Sequence, residues 1–305
     1  MTQTGIIYRH SEKPSAKARL LQKAMVMTRR REKIEKRFRS GKFLHKPEKI
    51  PRAVRRAIEI RESKVAKQKL YTFTPNSAEP ARTILYFHGG AYVRNFTKYH
   101  WELIAAIATA TGCRVIAPDY PLAPDNQSDE MYSYLADLQS YLETLENSGP
   151  ITIMGDSAGG GLALAYSQWL AMRQCKIINQ IILLSPWLDL SMSNPAIYGV
   201  THRDKMLSVR GLLMAGSAYA NELPLQDYRV SPMYGEYGNL PPISLFIGTN
   251  DLFWPDCVKL RDLCLMSAQP VNYFEYPSMF HVWMSVVNLP ESKAAIEQVA
   301  TLVSK

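Results

Sequence analysis

The chain has 305 residues, 47% hydrophobic and 21% charged, a balance that gives a sizeable core and excludes a disordered or fibrous protein. No apolar run reaches the roughly 20 residues of a membrane span, and near the N-terminus the longest is Ala24–Met27, so neither a span nor a secretory leader is expected. The net charge of +9 is unevenly placed: residues 1–70 carry 22 Lys/Arg against 6 Asp/Glu, and the remaining 235 carry 14 against 21.

In chain order, Leu20, Ala24, Met27, Ile34 and Phe38 recur at near-helical spacing with Arg29-Arg30-Arg31 and Arg37 among them, which predicts a basic amphipathic helix. Such a helix lies on an anionic membrane surface, binds nucleic acid, or packs its apolar stripe on the domain. We read it as packing, because base-stacking aromatics are sparse and no nucleic-acid motif is present; contact with a membrane surface is the remaining alternative. Pro47 and Pro51 then punctuate the chain. Strand patterns follow at 67–73, 83–88, 114–118, 151–154, 180–185, 243–248 and 271–276, alternating with helical patterns at 99–110, 129–146, 158–172, 256–268 and 291–303. Several strands are continuous apolar runs, Ile181-Ile182-Leu183-Leu184 most clearly, as expected where a parallel sheet is covered on both faces. The alternation predicts a mostly parallel, doubly wound α/β sheet with its site at the carboxyl ends of the strands. Nearly 60 residues separate the strands at 180–185 and 243–248, more than one crossover uses, and a helix over 208–221 falls among them. That stretch reads as an insertion over the site. The organisation expected is an N-terminal cap segment at 1–50, a core at 51–190, a cap insertion at 191–225 and the rest of the core at 226–305. Cys113, Cys175, Cys257 and Cys264 have no metal-ligand or C-x-x-C spacing, so reduced thiols in a cytoplasmic protein are expected, with no metal.

Residues 151–161 carry the chemistry. Ile151-Thr-Ile-Met154 runs into Gly155-Asp-Ser-Ala-Gly159, and a helical pattern follows: a G-x-S-x-G elbow in its required context of strand, sharp turn and helix. Gly155 and Gly159 are expected where a Cβ would strike the closely approaching chain. A serine hydroxyl needs a general base oriented by a third group, and in this architecture the chain order is Ser, acid, His. Only His202 and His281 follow Ser157; His281 lies just after the last strand, whereas His202 sits beside Arg203 and Asp204 and reads as a surface residue. For the acid, Asp251 follows the strand at 243–248 and is preferred, Asp189 is held in reserve as a turn anchor, and Asp256 reads as a helix N-cap. An oxyanion hole is expected from the N–H of Ala158 and from the loop His88-Gly89-Gly90-Ala91-Tyr92 after the strand at 83–88.

Four blocks in order, His88-Gly-Gly-Ala91, Asp119-Tyr-Pro-Leu-Ala-Pro124, Gly155-Asp-Ser-Ala-Gly-Gly160 and Ser185-Pro-Trp-Leu-Asp-Leu190, resemble the hormone-sensitive-lipase-like family of α/β-hydrolases, the bacterial HSL or type IV esterases. The resemblance covers residues from about 80 to the C-terminus. It implies the α/β-hydrolase fold with a helical cap, a triad of Ser157, Asp251 and His281, and oxyanion donors from Gly89, Gly90 and Ala158. The chain departs from the family at Ala91, where the third glycine of His-Gly-Gly-Gly would stand; a backbone donor survives there unless the position needs positive φ.

The expected activity is hydrolysis of short- to medium-chain carboxylic esters through an acyl-enzyme, needing no cofactor. Tyr92, Trp187, Trp254 and Trp283 fall in strand-end loops and are candidates to line the substrate pocket. Two other readings share the fold: a non-catalytic small-molecule receptor, which retention of all three triad candidates argues against, and an amide or formamide hydrolase using the same triad. A homo-oligomer is compatible with the sequence, which does not specify one.

Overall fold

The computed structural model describes residues 5–76, 80, 82–145 and 149–304. Its elements in chain order are β1 (Ile7–Arg9), α1 (Ala16–Met27), α2 (Lys33–Ser40), α3 (Arg52–Ala57), β2 (Glu59–Val65), β3 (Gln68–Thr74), β4 (Thr83–Phe87), α4 (Lys98–Thr111), β5 (Arg114–Pro118), α5 (Ser128–Glu143), β6 (Ile151–Asp156), α6 (Ala158–Met172), β7 (Ile178–Leu184), α7 (Val209–Ala220), β8 (Ile243–Gly248), α8 (Trp254–Met266), β9 (Val271–Tyr276) and α9 (Pro290–Val303). The strands form one sheet in the order β1-β9-β8-β7-β6-β4-β5-β3-β2. β3 runs antiparallel to both of its neighbours, and the other pairings are parallel.

Strand residues alternate between two cores. Leu85, Phe87, Ile153, Ile181, Leu183, Leu245 and Ile247 face a core completed by α5, α6, α7 and α8. Ile84, Tyr86, Met154, Ile182, Leu184 and Phe246 face a second, completed by α4 and α9. Burial on both faces explains why these strands read as unbroken apolar runs. After β4 the chain places β5 on one side and then returns β6 on the other. The strand order therefore reverses between β4 and β6, and a crevice opens outside their carboxyl ends.

Seven expected strands and six expected helices are present, with ends moved by a few residues; Glu146, the expected end of α5, lies outside the described residues. Two strands had no sequence signal. β2 alternates Glu59, Arg61, Glu62 and Lys64 on an exposed sheet edge, where charge discourages pairing with another chain. β1 has three residues, with Ile7 largely exposed on the opposite edge, and it takes part of the 1–50 segment into the sheet.

The single basic helix is corrected to two. α1 ends at Met27, and Arg29 turns left-handed (φ 46, ψ 48) before a 3-10 turn at Arg30–Glu32 leads into α2. The apolar stripe was misplaced in α1, where Ala18 and Met25 are buried while Leu20 and Met27 are 67% and 85% exposed, whereas Ile34 and Phe38 of α2 pack on the core as expected. Polar anchors dock the segment. Ser15 N–H donates to Glu291 Oε1 at 2.5 Å, Gln22 bonds Asn250 and the carbonyl of Ser278, and Glu35 accepts from the Ser208 hydroxyl at 2.9 Å. α1 thereby meets the loops after β8 and β9, and α2 meets the start of α7.

α6 crosses β4 so closely that a Cβ on Gly159 would lie 2.1 Å from the Phe87 carbonyl oxygen, and one on Gly155 2.2 Å from that of Gly159. Neither obstacle is a flexible side chain. Gly159→Ala is therefore expected to lose about 3 kcal/mol or more of stability in urea unfolding. Gly199→Ala, with open space around its Cβ, should stay within about 0.5 kcal/mol of the parent.

Candidate active site

Ser157 sits at the turn from β6 into α6 with φ 54 and ψ −122, a strained conformation for a side-chain-bearing residue. Its amide donates to the Leu184 carbonyl at 3.0 Å, and its carbonyl accepts from Trp187 and Gly161, so backbone bonds on several sides fix the turn. The hydroxyl lies 2.9 Å from His281 Nε2, and His281 Nδ1 lies 2.9 Å from Asp251 Oδ2. A carboxylate on Nδ1 keeps the ring proton there and leaves Nε2 to accept from the serine hydroxyl. The three residues the sequence singled out are thus joined, in chain order, at the ends of β6, β8 and β9. Asp251 Oδ1 accepts from the Phe253 amide, the Val282 amide donates to the Ser185 hydroxyl, and the ring of Phe253 stands edge-on to His281 at 5.2 Å.

The rival residues lie elsewhere. Asp189 anchors a turn, accepting from Ser191 and Ser193 and from the Tyr234 hydroxyl. Asp256 lies inside the first turn of α8 and is not its N-cap, which is Phe253, because the helix starts two residues earlier than expected. His202 is exposed.

A second buried carboxylate, unread in the sequence, stands behind the triad. Asp204 accepts from the amides of Met206, Leu207 and Leu252, stitching the insertion after β7 to the Asp251 loop. Burial, followed by the charge of Asp251, pushes its carboxyl up to about 6. On His281, burial disfavours the charged ring, but the charge and hydrogen bond of Asp251, with Asp204 and Asp156 behind, outweigh it and raise the imidazole above its ordinary value.

The loop after β4 corrects the expected oxyanion donors. The Gly89 amide is engaged: it donates to Asp156 Oδ1 at 2.9 Å, beside the Tyr86 hydroxyl at 2.6 Å. Among the described residues, the amides of Gly90, Ala91 and Ala158 have no acceptor. Gly90 has φ 134, and a Cβ there would meet the Arg94 carbonyl oxygen at 2.1 Å. Ala91 also has positive φ, 55, so the departure from a third glycine carries a left-handed cost of about 1–2 kcal/mol. Neighbouring blocks hold the loop. The Tyr120 hydroxyl donates to the His88 carbonyl, Asn95 donates to Asp119 at 2.5 Å, and His88 Nδ1–H donates to the Gly89 carbonyl at 2.7 Å. Burial, then the nearby His100, pulls the His88 imidazole down to about 3, so this ring stays neutral.

A cavity of about 160 Å³ opens over Ser157 and His281, walled by Gly90 and Ala91, by Tyr99 of α4, by Ile34 of α2 and by Met206 and Leu207 of the insertion. A neighbouring cavity of about 180 Å³ shares His281 and Tyr99 and is more apolar, with Leu21, Met25 and Phe280 in its wall. None of the four candidate aromatics lines either one. Tyr92 stacks on Tyr219 at 3.8 Å, Trp187 and Trp283 are fully buried in the two cores, and Trp254 donates to Glu275 at 2.8 Å. They are corrected to packing residues: the rings of Tyr92, Trp187 and Trp283 turn into the cores, and Trp254, the first residue of α8, packs against one of them.

A sequence profile described as the alpha/beta hydrolase fold matches residues 84–285. The chain belongs to that family. It is similar to an acetyl-hydrolase of Streptomyces hygroscopicus, with 30% identity over 221 residues covering 72% of this chain and 74% of the relative. An esterase of Acinetobacter venetianus is 29% identical over 231 residues, covering 73% and 75%. The crystal structure of a hormone-sensitive lipase from a metagenome library superposes with a TM-score of 0.81 over 96% of this chain and 99% of that one; at 23% identity the likeness is one of fold. The resemblance drawn from the four sequence blocks stands. No helix among the described residues is long and apolar enough to cross a membrane.

In this hydrolase the His281 ring should titrate above the ordinary imidazole value. Asp204→Asn removes one of the negative charges that favour the imidazolium, so the midpoint should move to lower pH. Imidazole NMR of the two proteins checks both the position and the direction.

Proposed function

We propose that this protein is a serine carboxylic-ester hydrolase in which Ser157 attacks, His281 is the general base and then the general acid, and Asp251 orients the ring. The observation that carries the reading is the unbroken relay from Ser157 Oγ through His281 to Asp251, with both contacts at 2.9 Å and all three groups buried. As Ser157 attacks the ester carbonyl, its proton passes to Nε2, and Asp251 stabilises the imidazolium. The proton then goes to the departing alcohol, and water repeats the sequence on the acyl-enzyme. For the oxyanion we assign the amides of Gly90, Ala91 and Ala158, supported by their lack of acceptors and by the place of Gly90 and Ala91 in the cavity wall. Gly89 instead holds the loop to the elbow through Asp156.

The names of the relatives support acetyl and other acyl esters as substrates. The cavity supports short chains, since about 150 Å³ is the room a benzene-sized group takes. α1, α2 and residues 191–225 form a cap in this reading, because each contributes to the walls over Ser157 or to their support. Four unpaired cysteines agree with a reducing, cytoplasmic compartment. Docking of α2 on α7 favours packing over membrane contact for the basic segment.

Ser157→Ala should lose about 10⁶-fold of p-nitrophenyl butyrate turnover while unfolding like the parent, and Asp251→Asn about 10⁴-fold. Parent protein that turns over no ester, yet binds some small molecule tightly, would be a receptor. Turnover of amides in preference to esters would make it an amidase.

A further inference from the structure

The basic N-terminal segment has a use that packing does not explain. The left-handed turn at Arg29 redirects the chain so that Arg30, Lys33 and Arg37 join Arg94 in the wall of the cavity over Ser157. Arg94 has a counter-ion, Glu48 at 2.8 Å. Among the described residues Arg30, Lys33 and Arg37 form no ion pair, although Arg29 and Arg39 beside them do. The one carboxylate in the cavity wall, Asp156, is occupied by Tyr86, Gly89 and His100. Burial, then the charges of Arg94 and Arg30, lowers the Arg37 guanidinium to about 10, and burial with the same cluster lowers Lys33. Gathered like charges repel one another, and Arg30, Lys33 and Arg37 have no counter-ion among the described residues. An anion in the cavity would supply one.

We propose that the cavity over Ser157 accepts an ester bearing a carboxylate on a short spacer, either a half-ester of a small dicarboxylic acid or an ester of a small hydroxy acid, with Arg30, Lys33 and Arg37 receiving the carboxylate. The inference rests on the ester-hydrolase reading and deepens it. Guanidinium groups bind carboxylates through paired N–H donors, and in a half-closed cavity salt screens such contacts less than on the open surface. The small volume brings the charge close to Ser157, so the spacer is short. The adjoining cavity, with Arg30 in its wall but neither Lys33 nor Arg37, is left for the uncharged side of the ester.

The test compares kcat/KM within two matched pairs: monoethyl adipate against ethyl hexanoate, with the charge on the acyl side, and 4-acetoxybenzoate against 4-acetoxybenzamide, with the charge on the alcohol side. The parent should favour the charged member of at least one pair by about tenfold or more, and Lys33→Gln/Arg37→Gln should cut that ratio by about tenfold. Arg30→Gln, read in the same way, serves if the double variant does not fold. A parent that favours the neutral member of both pairs, or a ratio unmoved by these substitutions, overturns the proposal. If no ester is hydrolysed, the ester-hydrolase reading fails separately, and glutarate calorimetry decides the anion site. Binding weakened about tenfold in the variant sustains it, and no binding to the parent overturns it. Loss of co-sedimentation with phosphatidylglycerol vesicles in the variant, with the substrate ratio unchanged, would assign the cations to a membrane surface and also overturn it.

Discussion

The site depends on one buried carboxylate that is not itself in the triad. Asp156, between the glycine and the serine of the elbow, accepts from the Tyr86 hydroxyl and the Gly89 amide and lies 3.6 Å from His100. Burial works against its charge, but His100, Tyr86 and Gly89 hold it below the usual carboxylate range. Unpaired, such a charge would cost several kcal/mol; with these partners it becomes a clamp. β4 and β6 lie side by side because the strand order reverses between them, and the clamp fixes the loop of one to the turn of the other. With the Gly89 amide drawn toward Asp156, the next two amides in the chain remain without acceptors beside Ser157.

A second carboxylate ties the insertion after β7 to the core. Asp204 belongs to the insertion after β7, yet one of its oxygens accepts from Leu252, next to Asp251. Ser208 at the start of α7 meets Glu35 of α2, and Gln22 of α1 meets Asn250 just before Asp251. The N-terminal segment, the insertion and the acid loop are therefore coupled through short polar contacts, beside the apolar packing of Met25, Ile34 and Phe38 on the two cores. Any movement of the insertion would be felt at the His281 ring through the charge of Asp204.

What was legible in the sequence was whatever depends on local pattern. Strands buried on both faces were visible as apolar runs, and the elbow was visible because a Cβ at its glycines would come within about 2 Å of neighbouring backbone. The order of Ser157, Asp251 and His281 followed from the topology. Illegible were features set by distant partners. β2 is a charged edge strand whose only instruction is its pairing with β3. Asp204 and Asp156 acquire their roles from loops far away in sequence. The donation of Gly89 to Asp156 cannot be read from a glycine pair, and the strand-end aromatics look alike in sequence whether they face the pocket or the core. The charge excess of residues 1–70 was plain, but the turn at Arg29 that aims part of it inward was not.

In the proposed mechanism Ser157 is a nucleophile activated by His281 and Asp251. The most direct test of that role is intact-mass and peptide mapping after exposure to a fluorophosphonate. A single adduct is expected on Ser157, absent from Ser157→Ala and formed far more slowly in Asp251→Asn. An adduct on another residue, or one that persists in Ser157→Ala, would contradict that role.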